Sequence, residues 1–233
     1  CEVGEKVKAF VSVKEFNDTD FIVMATRNGI IKKTALSMYS RPRKGGIYAI
    51  EIRDNDELIQ AKVSHGHQDI ILATFSGKSI RFNENDVRGT GRKTMGVRGI
   101  RLGTKDDYVI GMLIVKREGS VMVVTNKGYG KRSDLSEYRT QKRGGKGVIT
   151  IKTTKKVGNL IGIMEAIDED DIMLITDRGI MIRQPVSNIR TIGRNTQGVR
   201  LAKLDDKTYI TSATRVLKED EDNEEEGAPE PEE

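Results

Sequence analysis

The chain has no tryptophan, one cysteine, two histidines and four prolines in 233 residues. A single cysteine, Cys1, excludes an intramolecular disulfide framework and fits a reducing cytoplasm. No apolar run approaches the roughly 18 residues of a membrane-spanning helix, so no membrane partner is expected. His65 and His67 stand alone as a ligand pair, and no metal is expected. Aromatics make up only 5% of the chain. That is too few for the stacking platforms that hold single-stranded nucleic acid. No set of carboxylates, His or Ser stands out as catalytic machinery, so no catalytic residue, cofactor or small-molecule substrate is expected in this chain.

What is abundant is charge. The net value of +5 averages two unlike parts. Residues 218–233 hold ten acids and one Lys, a charge of −9, which leaves +14 on the remainder. A basic body with an acidic end fits a nucleic-acid partner. The tail, with its Pro and Gly, buries little apolar surface and is expected to be disordered.

One pattern returns four times. Thr-x-x-Gly-x-x-x-Lys/Arg occurs as Thr26…Gly29…Lys33, Thr74…Gly77…Arg81, Thr125…Gly128…Arg132 and Thr176…Gly179…Arg183. The glycines lie 48, 51 and 51 residues apart. An arginine follows each glycine in the same slot: Arg41, Arg88, Arg139 and Arg190. Three copies add a second, Arg92, Arg143 and Arg194, and a closing glycine comes at Gly46, Gly96, Gly147 and Gly198. Self-similarity at this period marks a repeat architecture.

Each copy reads as four short strands. Asp69–Phe75 is an apolar run, Ser76-Gly77 turns it, and Lys78–Phe82 returns. Gly96–Leu102 and Tyr108–Val115 complete the copy. The runs are short, β-branched and bounded by Gly, Asn and Asp, so strand is favoured over helix. The predicted fold is all-β: four propeller-like blades at about 17–66, 67–117, 118–168 and 169–217, within a domain spanning 1–217. Residues 1–16 match the end of a preceding blade, with 7–16 as a leftover strand. With Cys rather than Met at position 1, the chain reads as part of something longer.

The sharpest local motif is Gln141-Lys142-Arg143-Gly144-Gly145-Lys146-Gly147, in the loop between the second and third strands of the third copy. Three cations can pair with successive phosphates. The three glycines are expected to let backbone N–H groups approach phosphate oxygens, with Gln141 as a further donor. The same loop of the other copies carries Arg41, Arg43 and Lys44, then Arg92 and Lys93, then Arg194. Arg88, Arg139 and Arg190 extend the belt. Lys33, Arg81, Arg132 and Arg183 lie on predicted strands, where pairing with acids and contact with DNA are equally open.

Here the sequence resembles the C-terminal domain of DNA gyrase A, over essentially the whole chain. Residues 141–147 fit that family's box, Gln-(Arg/Lys)-Arg-Gly-Gly-(Arg/Lys)-Gly, at every position. Gly128–Arg132, Thr94–Leu102 and Gly193–Val199 resemble other segments of the family. The resemblance implies a β-pinwheel, a propeller-like ring whose blades share strands and whose rim wraps duplex DNA. It implies a non-catalytic module that lets gyrase introduce negative supercoils. The catalytic tyrosine, ATP and Mg would belong to other parts of the intact enzyme. The implied partners are double-stranded DNA, the rest of gyrase A and, in the heterotetramer, gyrase B, in a bacterial, nucleoid-associated setting. One departure stands out: the family's box lies in the first of about six blades, here in the third of four. Either the blades with the principal box lie upstream, or the domain is shortened and its only box has moved. The alternatives are the DNA-bending domain of topoisomerase IV, whose boxes are degenerate, and a propeller scaffold for protein partners.

Other motifs give less. Ser76-Gly77-Lys78-Ser79 lacks the earlier glycine of a P-loop, since position 72 is Leu, and precedes a strand. Gly89-Thr-Gly91 lacks the third glycine of a dinucleotide site, Asn17-Asp-Thr19 is a formal glycosylation triplet, and Tyr39, Tyr129 and Tyr138 read as packing residues. The acidic tail is expected to fold back on the basic rim. Deleting 218–233 should then tighten duplex binding, most visibly at low salt. A duplex titration at two salt concentrations measures this, and unchanged affinity would leave the tail a solubilising end only.

Overall fold

The computed structural model describes residues 6–216. Residues 1–5 and 217–233, with Cys1 and the expected acidic tail, lie outside them. Repeat one contributes β1 (Phe21–Thr26), β2 (Ile30–Ala35) and β3 (Leu58–Ser64). Repeat two contributes β4 (Asp69–Thr74), β5 (Lys78–Asn83), β6 (Val97–Arg98) and β7 (Val109–Ile114). Repeat three contributes β8 (Ser120–Thr125), β9 (Tyr129–Asp134), β10 (Val148–Ile149) and β11 (Leu160–Ala166). Repeat four contributes β12 (Asp171–Thr176), β13 (Met181–Pro185), β14 (Val199–Arg200) and β15 (Ile210–Val216). Single 3₁₀ turns follow β2, β5, β9 and β13, and no α-helix occurs among the described residues.

The repeat motif is a hairpin device. The glycine N–H bonds back to the threonine carbonyl in every copy, as in Gly29 N to Thr26 O at 3.0 Å. Its φ is +84° at Gly29, a left-handed conformation that glycine adopts without steric cost. The threonine hydroxyl closes the turn in three copies: it accepts the N–H of Ile30 (3.2 Å), Tyr129 (3.3 Å) and Ile180 (3.0 Å). A bulge beside the same threonine offsets each inner strand, β3, β7, β11 and β15.

Sheets and repeats do not coincide, which corrects the expectation of four strands per copy forming one blade. The sheets run β3-β1-β2-β6, β10-β5-β4-β7, β11-β8-β9-β14 and β13-β12-β15. The third strand of each later repeat leaves its own copy and pairs with the outer strand of the blade before. It is two residues long, shorter than the Gly96–Leu102 run predicts. The segment expected as a strand at 7–16 carries none among the described residues. Instead Val11 and Val13 pack beside Ile22, Met24 and Leu36 on the flank of the first blade.

The core lies between blades. Ile70 and Leu72 face the first blade, in a cluster with Val23 and Ile31. Ile71 and Ala73 face the third, with Val121 and Val123. A third cluster joins Met122 and Val124 to Ile172 and Leu174. A strand buried on both faces needs apolar residues at consecutive positions, which explains the unbroken runs. The strand-borne cations bind the blades together. Lys33 Nζ reaches the Glu84 carbonyl (3.0 Å) and carboxylate (3.6 Å). Arg81 pairs with Asp69 at 2.7 Å and donates to Leu135 O and Tyr138 O of the next repeat at 2.9 and 3.2 Å. Arg132 pairs with Asp168 and donates to Ile189 O at 2.7 Å. Arg183 pairs with Asp171 at 2.7 Å. Between DNA and acids, all four are engaged by acids.

Two lysines are fully buried. Lys32 Nζ donates to Ala49 O (2.6 Å) and Arg92 O (2.5 Å), and Lys131 Nζ to Gly193 O (2.5 Å). Burial, more than the neighbouring arginine, lowers each from 10.5 to about 8. Because the folded pKa lies below the unfolded one, the unfolded chain binds more protons between pH 8 and 10. Stability therefore rises with pH across that window. Denaturant unfolding at pH 7.5 and 9.5 should show a smaller gain in a Lys32→Met/Lys131→Met variant than in the parent chain.

Candidate nucleic-acid interface

In repeats two, three and four the loop after the 3₁₀ turn runs around the outer edge of the blades before its short strand docks on the preceding blade. The loop at 141–147 shows how it is held. Gln141 N donates to Arg81 O (2.8 Å), Gly144 N to Gly99 O (2.6 Å), and Arg101 N to Gly145 O (2.8 Å). Gly145 lies over Ile80, where a Cβ would sit 3.4 Å from Cδ1. Gly147 has φ +69°, and a Cβ there would collide with the Ser79 carbonyl. Gly147 therefore serves close docking onto β5, and the Gly144 N–H is taken by protein, which removes that group from the backbone donors expected to meet phosphate. Gln141 Nε2 is buried with no partner among the described residues, so it does not face outward as a donor.

The cations divide into two kinds. Arg143 donates from Nε to Asp86 O (2.7 Å) and from Nη1 to Arg98 O (3.2 Å). Arg194 repeats this one blade on, to Glu137 O (3.0 Å) and Ile149 O (2.8 Å), while its backbone N–H reaches the Glu137 carboxylate (2.8 Å). Both are half-buried latches that tie the loop to the preceding repeat. Arg92 is also half-buried, over Lys32. Lys142 and Lys146 are exposed and make no hydrogen bond or ion pair among the described residues, and the same holds for Arg88, Arg139 and Arg190. Lys93 is exposed, its ammonium 5.3 Å from the Tyr48 ring centroid. Arg41, Arg43 and Lys44 are exposed on a loop with open space around Gly45 and Gly46. The rim thus presents free charges from successive blades on a latched frame. It suits anion pairing and offers no nucleophile.

Sequence reasoning missed a second basic area. A cleft of about 420 Å³ at the hairpin-turn end of blades three and four is lined by Lys127, Lys156, Arg200, Lys203 and Lys207, with Asp205 and Asp206 among them. Arg200 Nη2 donates to Tyr129 Oη at 3.3 Å. The recurring Gly-Val-Arg of Gly96–Arg98 and Gly198–Arg200 was a readable signal for Arg98 and Arg200. The tyrosines otherwise behave as expected of packing: Tyr138 is buried, its hydroxyl 2.7 Å from Thr150 Oγ1. His65 Nδ1 meets Asp20 at 2.7 Å. No group of three or more potential metal ligands occurs among the described residues.

Comparison with known proteins agrees with this architecture. Residues 20–65, 68–116, 119–165 and 170–216 each match the family described as DNA gyrase C-terminal domain, beta-propeller. The DNA gyrase A protein of Haemophilus influenzae is 39% identical over 94% of this chain, and that of Escherichia coli K12 is 41% identical over 92%. The matches cover 28% and 24% of those proteins, so the chain spans about a quarter of the relatives' length. Among solved structures, the C-terminal domain of DNA topoisomerase IV aligns with a TM-score of 0.82 at 25% identity, covering 88% of this chain and 64% of that one. A DNA gyrase A C-terminal domain aligns at 0.79 and 26%, covering 88% and 68%. The four matched repeats, the shared-strand sheets and the similarity along almost the whole chain place it in the DNA gyrase C-terminal domain family.

Proposed function

We propose that this chain binds duplex DNA along its rim and bends it around the blades, as the wrapping module of a gyrase A protein. The observation that carries the reading is the set of exposed, unpartnered cations repeated on successive rim loops: Arg88, Arg139 and Arg190 in one slot, Lys142 and Lys146 in the box. Phosphate contacts of this kind position DNA without reading its sequence. Bending a short site by 40–90° costs about 1–6 kcal/mol, which counterion release at several loops offsets. The chain does no catalysis of its own. The catalytic tyrosine, ATP and Mg belong to the rest of a type II topoisomerase, with the remainder of gyrase A and with gyrase B as its partners in a bacterial cytoplasm. Topoisomerase IV is the weaker reading. The structural likeness is nearly equal for both, but the complete box and the 39–41% identity lie with gyrase.

The latch geometry sharpens the roles. Lys142 and Lys146 are the phosphate contacts of the box, and Arg143 is first the residue that fixes their loop. Replacing both lysines by Ala should weaken duplex binding and lower the log–log salt slope by about 1.8, two phosphates at roughly 0.9 each. Arg143→Lys keeps the charge but loses the fork spanning two carbonyls. It should keep the slope within about 0.5 of the parent value while lowering the thermal unfolding midpoint. Ligating nicked plasmid in the presence of the chain should give a linking-number shift that the double lysine variant reduces. Tight binding without any shift would reduce the function to bending, and unchanged affinity in the double variant would remove this loop from the site.

A further inference from the structure

We propose that the open cleft lined by the four inner strands binds a small phosphate-bearing anion, held by Lys62, Lys116 and Arg215. The cleft is about 380 Å³ and takes its walls from every blade. Lys62 stands on β3, Arg215 on β15, and Lys116 two residues beyond the end of β7. Gln60 and Thr214 add polar side chains. None of the three cations makes a side-chain hydrogen bond or ion pair among the described residues. The one acid in the wall, Glu165, is already engaged. Its carboxylate accepts the N–H groups of Lys116 (3.0 Å) and Arg117 (2.9 Å) and lies 3.5 Å from Arg117 Nε.

These cations are not what the repeat needs at these positions. By register, Lys62 corresponds to Leu113, Met164 and Thr214 in the other blades. Arg215 corresponds to Val63, Ile114 and Glu165. Apolar residues fill two of the three equivalent places in each set, so the fold does not require a cation there. Lys62 is held below its usual pKa by burial and then by the like charges of Lys116 and Arg215. Lys62 and Arg215 are half-buried and Lys116 is exposed, and like charges gathered in one cleft repel when it is empty and are favourable around an anion. Outer and inner strands of a four-stranded blade lie about 14 Å apart, three spacings of roughly 4.8 Å, so this site is separate from the rim. A space this size admits phosphate or pyrophosphate and excludes a duplex.

Calorimetric titration of the full chain with inorganic pyrophosphate at low salt tests this. One saturable site is expected. Lys62→Met and Arg215→Gln should each weaken it by about tenfold or more. Lys142→Ala/Lys146→Ala should leave it unchanged. Lys62→Met should also raise the thermal unfolding midpoint, because it removes a half-buried ammonium set among like charges; if it fails to fold, Arg215→Gln carries the test. Absence of saturable binding overturns the proposal. So does binding that survives both cleft variants and is lost in the rim variant.

Discussion

The exchange of a two-residue strand between neighbouring repeats is the constraint on which the rest depends. Val97–Arg98, Val148–Ile149 and Val199–Arg200 each leave their own repeat and complete the outer edge of the blade before. Two residues supply few hydrogen bonds, so the exchange holds only with its surroundings. These are the docked rim loop, the arginine fork and the cation that reaches the next 3₁₀ turn. Remove any of them and the short strand competes poorly with water. The outer strand it covers would otherwise present a row of unpaired backbone groups. Blade packing and rim geometry are therefore one problem.

This explains why the box is rich in glycine. A loop that must lie flat on β5, return a strand to it and thread beneath Arg143 has little room for side chains. Gly147 beside the Ser79 carbonyl is the tightest point. The positive charge of the box is carried outward by Lys142 and Lys146, between docked positions. Backbone docking and side-chain charge thus alternate along seven residues.

Much of this was legible in the sequence. The hairpins announce themselves through Thr-x-x-Gly, because the threonine hydroxyl and the left-handed glycine are local requirements of the turn. Strand character showed in the apolar runs. The family resemblance implied shared strands, but the residues themselves did not show which: Val97–Arg98 carries no periodicity, and its partner lies more than sixty residues away at Ile30 and Ile31. The division of the arginines was hidden for the same reason. Arg139 and Arg143 look alike as letters, and only the carbonyls of Asp86 and Arg98, brought together by exchange, separate a free charge from a latch. Nothing in the sequence marks Lys32 and Lys131 as buried. They are buried because the rim loops, at Ala49 and Arg92 for Lys32 and at Gly193 for Lys131, close over them.

The same logic gives the box a mechanical rank among the loops. The loop at 41–46 is exposed throughout, and no outer strand receives it among the described residues. Arg183, on the last outer strand, is 54% exposed, against 6% for Lys33, 19% for Arg81 and 10% for Arg132. Blade two has packed neighbours on both faces and receives its short strand from repeat three. With blade three, it is one of the two blades braced in this way, and the box sits on it. A charge held on a braced frame loses less conformational entropy when it meets a phosphate than one on a free loop. A bend imposed on a stiff duplex pushes back on each contact that holds it. The strongest pair of free lysines is best placed where the frame yields least, and that is where the sequence puts Lys142 and Lys146.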